Sequence, residues 1–189
     1  KAVVARHTRA GFFGMDLGAL RRDLTALPWV RDAALRRVWP GTLRVTVREH
    51  DAAATWNGRA LVSAGGTVFE PARIESGGLP ELTGPAGHGP AMLERLRRFR
   101  QRLAPLGLGI AGLHQDQRRA WRLELANGVT LRLGREAISA RLDRFVAVWP
   151  GVLAPEAARV EAVDLRYTNG FAVAWREGAA GDAVREGGA

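Results

Sequence analysis

The chain of 189 residues is 47% hydrophobic and 25% charged, a globular profile with room for one or two domains. It has no cysteine, which excludes disulfides, thiolate metal sites and a cysteine nucleophile, and no apolar run of membrane-spanning length. Its net charge of +9 is carried almost wholly by arginine, and the even spread of those arginines reads as a solvated basic surface rather than a nucleic-acid patch.

The chain opens on Lys1 in helix-like sequence and reads as a piece of a longer protein. Residues 1–9 look like the tail of a helix with Val3 and Val4 as its apolar residues, followed by a Gly11-Phe12-Phe13-Gly14 loop. Asp16 is an N-cap candidate for a helix whose Leu17, Leu20, Leu24 and Leu27 form one stripe, ended by Pro28. Val30 to Trp39 reads as a strand. Pro40-Gly41 turns it, and Leu43, Val45 and Val47 alternate with polar residues in a second strand. Two strands cover two helices poorly, so a further strand is expected upstream of Lys1.

A second unit is expected from Asp51 to Arg176, with short strands at Ala52–Trp56, Ala60–Ser63, Thr67–Glu70 and Leu79–Leu82. An amphipathic helix then carries Met92, Leu93, Leu96, Phe99, Leu103 and Leu106. Trp121–Leu125 and Val129–Leu133 form a hairpin whose loop, Ala126-Asn127-Gly128, sets Leu123 opposite Leu131 and Trp121 opposite Leu133. A last helix bears Ile138, Leu142, Phe145 and Trp149, stopped by Pro150-Gly151. Trp39, Trp56 and Trp121 are assigned to the core. The fold class is α+β: an antiparallel sheet with two amphipathic helices on one face.

The final structured stretch, Val163 to Trp175, reads as a second hairpin. A two-residue Asn169-Gly170 turn would put its two apolar sets on opposite faces. A three-residue loop, Thr168-Asn169-Gly170, pairs Tyr167 with Phe171, Leu165 with Val173 and Val163 with Trp175 on one face, and is preferred. Residues 177–189 are rich in glycine and charge and read as a disordered tail. Phe171–Trp175 is therefore a candidate free edge.

Signals for chemistry fail on context. Gly107-Leu108-Gly109-Ile110-Ala111-Gly112 matches G-x-G-x-x-G, but it follows a helix and precedes a strand, the reverse of a pyrophosphate cradle. A helix C-cap and turn explain it. His7, His50, His88 and His114 have no metal-ligand spacing, and no serine sits in a nucleophile elbow. No catalytic site and no cofactor are expected.

Several motifs in order carry a resemblance: Phe12-Phe13-x-x-Asp16-Leu17, Leu27-Pro28-Trp29-Val30, Arg36-Arg37-Val38-Trp39-Pro40-x-x-Leu43-x-Val45 and Trp56-Asn57. Leu131-x-Leu133-Gly134-Arg135, Arg144-Phe145-Val146 and Val163-Asp164-Leu165-Arg166-Tyr167-x-x-Gly170-x-Ala172-Val173-x-Trp175 extend it over residues 1–176. The chain resembles the FtsQ/DivIB family of bacterial cell-division proteins. That resemblance implies a polypeptide-transport-associated (POTRA) domain over 1–50, lacking its first strand, and a β domain over 51–176. It also implies a cytoplasmic tail and one membrane-spanning helix upstream, placing this part in the periplasm at the division septum. The implied role is a non-enzymatic scaffold that joins FtsB and FtsL, with FtsB adding a strand beside the last strand and the POTRA domain meeting other division proteins. Carried over by position, the partner surface is Arg166, Tyr167, Asn169, Gly170, Phe171, Val173 and Trp175, flanked by Val148 and Arg118. Asn169 stands where the family can have a small hydroxyl residue, and Val148 where it can have a larger aliphatic one.

Two other classes compete. A POTRA-bearing chaperone-like module would also use strand addition, but would carry a downstream barrel. An arginine-rich nucleic-acid binder would need a recognition motif, and none is present.

Overall fold

The computed structural model describes residues 2–7, 11–74 and 77–176; the expected tail at 177–189 lies outside them. Three helices come first: α1 (Ala2–His7), α2 (Gly11–Gly14) and α3 (Leu17–Thr25). The Gly11–Gly14 stretch, expected as a loop, is one helical turn. Asp16 caps α3 by accepting the Ala19 amide at 3.0 Å, satisfying one of the amides a helix start leaves orphaned. Leu20 and Leu24 are buried, whereas Leu27, expected in the same stripe, lies beyond the helix end and is exposed.

These helices pack on a two-stranded antiparallel sheet, β1 (Val30–Val38) and β2 (Thr42–Glu49), in which Leu35 faces Val45 and Ala33 faces Val47. Met15, Leu20, Leu24 and Ala33 form a small core of their own, supported by Val3, Val4, Leu35, Leu43 and Val45. Trp39 is not part of it. The strand ends at Val38, and the ring stands 83% exposed at the tip of the hairpin.

The second sheet has nine strands in the order β11-β10-β9-β8-β7-β6-β3-β4-β5. They are β3 (Ala52–Trp56), β4 (Ala60–Ser63), β5 (Val68–Phe69), β6 (Glu81–Thr83), β7 (Ile110–Gln115), β8 (Trp121–Leu125), β9 (Thr130–Gly134), β10 (Val160–Asp164) and β11 (Ala172–Trp175). The sheet is mixed rather than wholly antiparallel, because β3–β6, β6–β7 and β9–β10 run parallel. Parallel neighbours need a crossover. The helix α4 (Gly89–Leu103) supplies it from β6 to β7, and α5 (Ile138–Val148) from β9 to β10. Both helices cover one face, as an α+β architecture requires.

Registers line up one apolar row across seven strands: Trp56, Leu82, Leu113, Leu123, Leu131, Val163 and Val173. All but Val173 are buried beneath Met92, Leu96 and Phe99 of α4 and Leu142 and Phe145 of α5. Burying each leucine is worth about 2 kcal/mol relative to exposure, so this row is the main support of the larger unit. The opposite face presents a polar row, Thr83, His114, Arg122, Arg132 and Asp164, ending on Ala172.

The β8–β9 hairpin has the expected three-residue loop. Leu123 faces Leu131, and Gly128 is left-handed with φ 84°, although a bulge places Trp121 opposite Gly134 rather than Leu133. Gly107 is likewise left-handed where the first crossover helix ends, as a C-cap glycine should be. Asn57 clips two strands that are distant in sequence. Its amide group donates to the Gly84 carbonyl at 3.1 Å, and its Oδ1 accepts the Gly84 amide at 2.9 Å. Asn57→Ala removes both bonds at a residue with φ 49°, where asparagine is tolerated better than alanine. A loss of about 2 kcal/mol in urea unfolding is expected.

Candidate partner-binding edge

The site is built on β11, the outermost strand of the sheet. Its register differs from the sequence expectation by two residues. Val163 faces Val173 and Asp164 faces Ala172, so a seven-residue stretch, 165–171, links the paired positions in place of the three-residue loop. A shift of two keeps every side chain on its own face, which is why alternation alone does not distinguish the two registers.

What sets the longer loop is a pair of arginines on α5. Arg144 donates to the carbonyls of Tyr167 at 2.9 Å, Thr168 at 3.0 Å and Gly170 at 2.8 Å. Arg141 donates to the Leu133 carbonyl at 2.7 Å and the Arg166 carbonyl at 2.9 Å. Gly134 makes room for it. A Cβ there would lie 2.7 Å from the Arg141 guanidinium, and the residue has φ 69°. Asp164 finishes the frame by accepting the Arg166 amide at 3.1 Å and its guanidinium at 2.6–3.0 Å. Those side-chain bonds from Arg166 hold the Asp164 carboxyl below the usual carboxylate range.

The expected site residues divide by environment. Phe171 and Val173 are half-buried against the core beside buried Leu165 and Val163. Tyr167 is 58% exposed and Trp175 47%, so neither closes the core. The Arg159 guanidinium lies 5.6 Å from the Trp175 ring centroid and fixes its outward pose. Asn169 is exposed, and Gly170 is half-buried where its carbonyl meets Arg144. Val148, half-buried, sits one turn after Arg144 on α5. Arg118, in the turn before β8, shares an open depression of about 400 Å³ with Arg141 and Arg166.

Arg118 and Arg166 differ in one respect the sequence does not reveal. Arg166 commits Nε and Nη2 to Asp164, whereas Arg118 makes no ion pair with any described residue. Arg141, Arg144 and Asp164 were missed as site residues. The signal was two arginines three apart on the helix that precedes the hairpin, a spacing that points both the same way.

The backbone of β11 is also oriented. The Arg176 amide donates inward to the Arg159 carbonyl at 2.8 Å. Alternation along the strand then turns the amides of Ala174 and Ala172 inward and those of Trp175, Val173 and Phe171 outward. No described strand lies on that outer side.

Comparison with known proteins agrees with this architecture. Residues 1–50 match the family model described as POTRA domain, FtsQ-type, and residues 54–166 match Cell division protein FtsQ/DivIB, C-terminal. The Cell division protein FtsQ of Coxiella burnetii is 38% identical over 178 residues, covering 93% of this chain and 73% of that protein. The protein of the same name from Vibrio cholerae is 38% identical over 176 residues (92% and 67%), and that from Thioalkalivibrio sp. 40% over 173 residues (91% and 72%). With matches of this extent in both units, the chain belongs to the FtsQ/DivIB family of cell division proteins.

Proposed function

We propose that this chain is a non-enzymatic scaffold of the bacterial division machinery that binds FtsB and FtsL, with an FtsB strand adding to β11. Its two domains, 1–50 and 51–176, join at His50-Asp51 and act in the periplasm, anchored to the inner membrane at the septum. The first domain meets other division proteins. The observation that carries this reading is the core row that runs out at half-buried Val173, on a strand whose outward amides have no described strand beside them. A partner strand laid there gains ladder hydrogen bonds, and one apolar side chain beside Val173 extends the row. Ala172 and Ala174 leave the opposite face open to larger partner side chains. Tyr167 and Trp175, exposed at the two ends, act as aromatic anchors, and Arg118 takes the partner carboxylate.

The test measures FtsB-peptide affinity and melting temperature together. Val173→Pro deletes an outward amide at an edge position, where proline leaves the internal ladder intact. This variant is expected to melt like the parent and to lose binding. Tyr167→Ala and Trp175→Ala are each expected to weaken binding about thirtyfold, or about 2 kcal/mol, with little change in melting. A folded proline variant that binds normally would sink strand addition at this edge.

A further inference from the structure

The end of the smaller unit farthest from the sheet of nine strands has an unexplained surface. The hairpin of β1 and β2 begins at the Val30–Glu49 pair, where the His50 amide donates to the Trp29 carbonyl at 2.8 Å, next to the larger unit. It ends at the Val38–Thr42 pair, roughly 25 Å away at 3.3 Å per residue. Trp39 lies at that tip. Arg37 bonds the Met15 carbonyl at 2.6 Å and so draws the α2 turn, with Phe13, to the same end. Phe13 and Trp39 are the two most exposed large hydrophobic residues described, at 81% and 83%.

The smaller unit is strongly basic. Residues 1–50 hold ten Lys or Arg against four Asp or Glu, a net +6 of the chain's +9. Three of the four carboxylates are already engaged: Asp16 caps α3, Asp23 pairs with His7 at 2.8 Å, and Asp32 pairs with Arg21 at 3.0 Å. Glu49 is at the base of the hairpin. Arg36 and Arg44, two positions below the tip, stand directly opposite each other with no ion pair to a described residue. Like charges directly opposite across a ladder repel and lower stability. Alternation turns this pair to the sheet face away from the helices, so the tip carries arginines on one face, Phe13 on the other and Trp39 at the turn, which fits a counter-anion supplied from outside in a medium that accepts apolar rings.

We propose that this tip is a membrane-surface contact, with Trp39 and Phe13 seated among lipid headgroups and acyl carbons and with Arg36 and Arg44 on anionic lipid phosphates. Aromatic rings favour that boundary layer, and each arginine near an anionic surface adds about fivefold in affinity. An acidic protein surface would satisfy the arginines but would leave two rings in water. The smaller unit is thereby held tip-down on the bilayer, with the β11 edge carried away from it.

The experiment is co-sedimentation of the whole chain with vesicles of phosphatidylglycerol and phosphatidylethanolamine, and with vesicles of phosphatidylcholine alone. Pelleting is expected with the anionic vesicles only, weakening as salt rises. The double variant R36E/R44E is expected to lose more than tenfold in affinity, and Trp39→Ala and Phe13→Ser each several-fold, with unchanged melting. Arg98→Glu, which makes the charge change of one of these substitutions on exposed α4, is expected to bind as the parent. Absence of pelleting overturns the proposal, as does an Arg98→Glu loss equal to that of the tip variants. So does binding to soluble polyglutamate that depends on Arg36 and Arg44 but not on Trp39, which would assign the patch to an acidic protein.

Discussion

Leu165→Asp is expected to destabilise the larger unit to the edge of unfolding. Leu165 has no exposure, and its amide donates to the Arg132 carbonyl at 3.0 Å, so the side chain has no route to water without parting β10 from β9. An aspartate there must either bury a charge with no partner or take up a proton. The expected cost is about 4–5 kcal/mol, a large share of the roughly 5–15 kcal/mol available to a domain. Leu123→Asp, at the centre of the apolar row and equally buried, should behave the same way. Circular-dichroism melting decides it. Parent-like transitions in both variants would mean that the row is not a core.

Arg144→Ala is expected to cost about 3 kcal/mol and to abolish FtsB-peptide binding. Three charge-assisted bonds to the carbonyls of Tyr167, Thr168 and Gly170 disappear together. Without them residues 167–170 of the loop lose their tether, and only the Arg141 and Asp164 bonds at Arg166 still favour the observed register. Arg144→Lys is the informative partner variant. A single ammonium on a flexible stem cannot reach three carbonyls arranged around a planar fork, so lysine should rescue less than half of the stability. Full rescue by lysine would show that charge alone, and not the geometry of the fork, holds the loop.

These two residues also mark how far the sequence could be read. Leu165 was legible as a core position because alternation fixes the face of a strand, and the face survives any shift by an even number. The β8–β9 loop was legible as well, since Gly128 takes the left-handed turn the motif requires and the next strands follow without interruption. The terminal hairpin looks alike in sequence. Its outcome differs because Arg144 reaches it from a helix more than twenty residues earlier, and no local pattern carries that information. The parallel pairs were hidden for the same reason: Leu82 beside Leu113 depends on a helix crossing over, not on a turn. Trp39 was placed in the core on its chemistry, whereas the hairpin is too narrow and its helices too short to cover the tip.

The two ends of the nine-stranded sheet are not alike. At one end β5 has only two residues, and its Phe69 ring is flanked by Trp29 at 5.1 Å and stacked on His50 at 4.7 Å. At the other end no described strand lies beyond β11. A sheet with one usable edge can be extended once. If a partner strand adds at β11, this sheet takes one strand per chain, and head-to-tail stacking of nine-stranded sheets has no second long edge among the described residues. Through the nine-stranded sheet two copies would meet isologously, β11 against β11, and an added partner strand would occupy that same position. A partner strand added at β11 would thus also keep the chain from pairing with itself there.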